Sequence, residues 1–133
     1  MNWTAFALAL VGAVIVCSLT DWLFFGMLFH DKALAVPELW RKAGGQPEGK
    51  QIAWSTLFGA VASAMVIAVC HETGAHNWMS ALDRAFFLTL LGPLPLVANN
   101  VIWTKLPASV GAAHTLGWFV RFLISALLAV WLM

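Results

Sequence analysis

The chain has 133 residues, of which 62% are hydrophobic and 10% charged, with no tyrosine and a formal net charge of +1. So little charge cannot cover a soluble domain of this size, and a near-neutral balance offers no clustered basic face, which excludes nucleic acid as a partner. The composition expects lipid around the chain.

The first apolar run covers residues 3–29. No Lys or Arg precedes it and it is too long for the apolar region of a signal peptide, so it reads as a retained transmembrane helix. Ala5, Ala7, Ala9, Gly12 and Ala13 allow close helix approach. Near its end stand Thr20 and Asp21. A carboxylate costs about 2.5–3.5 kcal/mol at the centre of a membrane helix, less toward the interface. Asp21 is therefore either wetted near the headgroups or partnered.

Residues 30–50 form the one clearly polar segment. Within them Pro37, Glu38, the cations Arg41 and Lys42, and Gly44-Gly45 predict a short helix over 37–43, lying in the interface on Leu39 and Trp40. A second span covers 52–70. Gly59 with Ser63, and Ala60 with Ala64, give small-residue spacing for tight packing, and no ionisable group is present, so this helix reads as scaffold. The connection from His71 to Ser80 holds His71, Glu72 and His76. Five residues with Gly74 between them do not put both imidazoles on one helical face, so no metal site is expected. Ser80 is the predicted cap of the next helix, with Asp83 in its first turn.

The third span, 81–104, contains Gly92, Pro93 and Pro95. The prolines remove the N–H groups that would bond the carbonyls of Thr89 and Leu91, and Leu94, before a proline, is pushed from helical dihedrals. A membrane helix keeps such a defect where protein or trapped water satisfies the freed carbonyls. The stretch then runs through Asn99-Asn100 to Trp103. Lys105, Pro107 and Gly111 predict a turn, and the last span covers 112–132. It holds His114 and Arg121, seven residues apart and so on nearly one face. Cys17 and Cys70 lie at different depths, so no disulfide is expected.

The fold class that follows is all-α: a single transmembrane domain over 1–133, a four-helix bundle with its third helix kinked or broken at Gly92-Pro93-Leu94-Pro95. Lys32, Arg41, Lys42, Lys50 and Lys105 share one side, which the positive-inside rule makes cytoplasmic, with both termini outside. Trp3, Trp78 and Trp131 then mark the outer edge, and Trp40, Trp54 and Trp103 the inner edge. On that orientation Asp21 and Arg121 each come ~13 Å from a cytoplasmic helix end. Thr20, Asp21, Asn99, Asn100, His114 and Arg121 could thus line one inner-leaflet cavity, with Asn99 or Asn100 bonded to Asp21 or Arg121.

The chain resembles the bacterial membrane family known only as DUF1761, a domain of unknown function. The resemblance rests on the order of Asn2-Trp3, Trp22, Phe29, Trp40, Gly92-Pro93, Asn100, Trp103, His114 and Gly117-Trp118. At Asp21 the chain departs from the family's pattern, in which a small residue is common before the tryptophan. The resemblance implies a four-helix protein of the bacterial inner membrane and supplies no reaction.

Two functions of different class follow. One is a small transporter, channel or ligand-binding membrane protein using the inner-leaflet polar residues as a site. The other is a structural or accessory membrane protein whose polar residues only pack helices. An enzyme ranks below both: no nucleophile–base pair, cofactor loop or metal cluster stands out, so no catalytic residue, cofactor or metal is assigned. The expected partners are the lipid bilayer, a small-molecule or ion ligand, and a second copy of the chain, because four short helices enclose little volume.

Overall fold

A computed structural model of the chain describes residues 1–31 and 49–133. The expected interfacial helix over 37–43 lies outside the described residues. Helix α1 (Trp3–Asp21) continues without interruption into a π-helical segment (Trp22–Leu28). Then follow α2 (Gly49–Glu72), α3 (Trp78–Leu91), α4 (Pro93–Trp103) and α5 (Ala108–Leu132). With α3 and α4 taken together, four helical stretches are long and apolar enough to cross a membrane: Trp3–Leu28, Gly49–Glu72, Trp78–Trp103 and Ala108–Leu132. The fold is all-α among the described residues.

Two of the helix starts are held by a capping side chain. The Asn2 side chain accepts from the N–H groups of Thr4 (3.1 Å) and Ala5 (3.2 Å), satisfying two of the free donors of α1. Asn77, rather than Ser80, caps α3. Its side chain accepts from Ser80 N–H at 2.9 Å while Ser80 Oγ takes the Asn77 N–H at 3.1 Å. This reciprocal box starts the helix at Trp78, three residues before the expected position, because Asn77 is the better-placed acceptor and Ser80 serves as its return partner. Asp83 bonds Arg84 at 2.6 Å, and Arg84 Nε reaches Thr73 Oγ1 at 3.0 Å, tying α3 to the turn before it.

The third span is broken at Gly92, with φ −117° and ψ −83°. Leu94, expected to leave the helical region, is instead helical. Pro93 opens α4 and Pro95 is its third residue, where no carbonyl of the new helix waits for their missing N–H groups. The residue four before Pro95 is Leu91, on the far side of the break, so the ring meets no carbonyl of its own helix.

Helix α5 is the hub and packs against α1, α2, α3 and α4. It can do so because small residues interrupt its surface: Gly111, Ala113, Gly117, Ser125, Ala126 and Ala129 are all buried. Gly111 lies inside the helix, not in the turn before it. A Cβ there would come 2.7 Å from Val101 Cγ2 and 3.1 Å from Val97 Cγ1, so its missing side chain is what lets α4 seat on α5. α1 buries Ala5, Ala9, Ala13 and Cys17, a four-residue stripe, while Leu8, Val11, Ile15 and Leu19 point outward. The large apolar side chains face out and the small ones in, the arrangement of helices packed by close backbone approach rather than by escape from water.

The bundle has two unlike halves. Ala9, Val66, Ile67, Cys70, Ala81, Ala85, Phe122, Ala126 and Ala129 form one buried apolar cluster toward the α2–α3 turn. The other half holds the π-helical segment, the start of α5 and α4, which buries no residue at all. Asp21 and Arg121 lie where the halves meet.

Candidate functional site

The site is built from three helices. α1 ends on Asp21, α5 carries Arg121 near its middle, and Arg121 Nη2 donates to Asp21 Oδ2 in an ion pair. The pair is asymmetric: the Arg121 side chain is 8% exposed and that of Asp21 is 37% exposed. α2 contributes a gap. A Cβ on Gly59 would come 2.8 Å from Arg121 Cζ, so the guanidinium occupies the place of the side chain that Gly59 lacks. On its own helix Arg121 lies over Trp118, with Cζ 5.6 Å from the ring centroid, where the electron-rich face favours the cation.

The backbone beneath the pair is also engaged. The Arg121 carbonyl accepts from Ser125 Oγ at 2.8 Å and faces Cys17 Sγ at 3.9 Å. Ser63, one turn past Gly59 on α2, is fully buried, and its Oγ has no hydrogen-bond partner among the described residues. Cys17 and Cys70 are both free thiols.

Of the residues read from the sequence, then, the structure joins Asp21 and Arg121 directly. His114 lies seven residues before Arg121 on α5 and packs on Phe25 of the π-helical segment, with ring centroids 4.6 Å apart. Thr20 turns back on its own helix, its Oγ1 donating to the Cys17 carbonyl at 2.9 Å. Asn99 and Asn100 are not brought to the pair. Both are exposed on α4, whose inward face is taken by Val97 and Val101 against Gly111. Of the helix-break residues, Gly92 is exposed with only Leu88 O, at 3.5 Å, near a Cβ placed there. Pro93 and Pro95 form the first turn of α4.

Sequence reasoning missed Gly59 and Trp118. Gly59 was legible as a small residue for packing, but not as the seat of a guanidinium. It also missed the π-helical segment, in which Phe29 N–H bonds the Phe24 carbonyl five residues back at 2.8 Å. Its only sequence signal is the crowded run Trp22-Leu23-Phe24-Phe25 after Asp21. At the opposite end of the bundle a cavity of about 260 Å³ opens between the C-terminal ends of α2 and α5, lined among others by Cys70, His71, His76 and Ala129. His76 Nδ1 is 2.9 Å from the Gly74 carbonyl, and no triplet of metal-ligating side chains is gathered among the described residues.

A family model described as "Protein of unknown function (DUF1761)" matches residues 8–130. No curated protein and no solved structure matches the chain. Matched from within α1 to the last turns of α5, the chain belongs to the DUF1761 family.

Proposed function

We propose that the protein is an integral membrane protein that binds a small cation or amine at Asp21, as a carrier, channel or ligand-binding component. The observation that carries this reading is the asymmetry of the pair. Arg121 is sealed by Asp21, Gly59 and Trp118, whereas the Asp21 carboxylate keeps more than a third of its side-chain surface open. An ionisable group deep in an apolar span is costly, and such groups mark ligand or ion pathways more often than they serve packing. The open partner is the acid, so the ligand chemistry it suits is cationic. The π-helical segment starting at Trp22 supports the same reading, because π turns are rare and concentrate at functional sites. The charge distribution of the sequence favours both termini outside and residues 30–50 on the cytoplasmic side, which would turn Asp21 toward the inner leaflet.

A structural role is the second reading, and one observation favours it: the pair is direct and spans α1 and α5, as a helix clamp would be. The two separate in one experiment on purified protein in lipid nanodiscs. The variant Asp21→Asn with Arg121→Met removes both charges and leaves neither buried alone. A panel of monovalent and divalent cations and small primary amines is scanned by thermal shift. Ligand binding predicts that at least one compound raises the wild-type melting temperature and leaves the double variant unmoved. If none does, or both proteins respond alike, the clamp reading takes its place.

A further inference from the structure

Helix α4 carries an outward stripe that the other described residues leave uncovered. Leu96, Asn99 and Trp103 follow one another at intervals of three and four residues, the spacing of a two-helix seam, and Gly92 stands at the break just before the helix. All are exposed, Leu96 at 65% and Trp103 at 81%, and the stripe lies on the side of α4 away from Val97 and Val101, which face Gly111 of α5. Asn100 flanks it and is exposed as well.

Two features of this stripe are costly against lipid tails. The amides have no lipid donor or acceptor to bond. The break at Gly92 deprives the Leu91 carbonyl of its usual donor, and Leu91 is 81% exposed. Irregular backbone at membrane depth persists only where protein or enclosed water covers it. A helix packed along this face would give the amides partners.

We infer that this face is a homodimer interface, with α4 of one copy packed along α4 of a second. Asparagine identifies the occupant. An amide is at once donor and acceptor, so it pairs with its own copy, and a two-fold interface places the same residue of both copies beside the axis. Two copies inserted with one topology bring their α4 helices together in parallel. In parallel seams a single Asn at a core position fixes register and limits assembly to two strands. Gly92 at one end of the seam lets the backbones close over the break, and Trp103 stands at the other.

The inference rests on the membrane reading above and is independent of the ligand at Asp21. Carbonate extraction of each variant is therefore done first, so that failure to insert is distinguished from failure to dimerise. Leu96→Cys and, as a lipid-facing control on α1, Leu8→Cys are then oxidised in native membranes, the two natural thiols being buried. The expected result is a disulfide-linked dimer for Leu96→Cys and none for Leu8→Cys. In vesicles of phosphatidylethanolamine and phosphatidylglycerol, energy transfer between labelled copies should give a dimer that Asn99→Leu weakens roughly tenfold and Asn99→Gln less. A wild-type chain that stays monomeric at every protein-to-lipid ratio overturns the interface, with headgroups then covering the amides. So does cross-linking of Leu8→Cys as readily as Leu96→Cys, or a dimer indifferent to Asn99→Leu.

Discussion

A guanidinium keeps its charge in a protein whereas a carboxyl group also has a neutral form, and this chemical difference makes the two halves of the Asp21–Arg121 pair unequal. Removing the acid leaves a permanent cation 8% exposed between α1, α2 and α5. Asp21→Asn should therefore cost about 3–5 kcal/mol of stability. Arg121→Met leaves a carboxyl group that is 37% exposed and free to be neutral, so the loss should be smaller, about 1–2 kcal/mol. Unfolding in mixed micelles with increasing SDS checks the order. Equal losses would mean that Arg121 finds a second partner. Gly59→Ala belongs to the same test, because a methyl there would displace the guanidinium from its seat. Its penalty of about 1–3 kcal/mol should shrink in the Arg121→Met background, where the guanidinium is gone and the shorter, flexible methionine can give way.

At the scale of the element, the two prolines of the third span do different things. Pro93 sets the break, since it stands where an unbroken helix would need an N–H for Thr89. Pro95 follows as the third residue of the new helix and takes no bond away from α4. Pro95→Ala should accordingly change stability by no more than about 1 kcal/mol, through unfolded-chain entropy alone. The same substitution at position 93 should extend α3 across Gly92 and shift α4 off Gly111. Cross-linking between cysteines placed at Val97 and Gly111 reads that shift directly. It should be efficient in the Pro95→Ala background and lost in the Pro93→Ala background.

For the whole molecule, the uneven distribution of burial predicts uneven opening. α5 packs against four helices and buries nine of its residues, whereas α4 buries none. Local opening free energy follows burial and contact, so amides of α4 should exchange with deuterium well before those of α5 between Arg121 and Ala129. If α4 forms the inferred dimer seam, the difference should widen in detergent that separates the copies, and α4 should gain protection in bilayers that keep them together. Exchange measured by mass spectrometry in both media gives the comparison. Identical rates for α4 and α5 would contradict a hub-and-satellite bundle.

Much of this molecule was legible in its residues. The apolar runs of 18 residues or more set the number of helices long and apolar enough to cross a membrane, and Gly92-Pro93 set the break, because local rules act on neighbouring residues. Asp21 and Arg121 also stood out, since a charge in an apolar run is visible without a structure. Their joining was not legible, and neither was the exclusion of Asn99 and Asn100, because both depend on how α4 rotates about its axis. Val97 and Val101 decide that rotation by docking on Gly111, a glycine whose sequence context suggested a turn. Likewise Gly59 reads as generic small-residue packing until Arg121 is seen to fill its empty side. A sequence shows which side chains are too small or too polar for their helix. Only the packed bundle decides which neighbour makes use of the gap, since that requires three helices to bring their faces to one point.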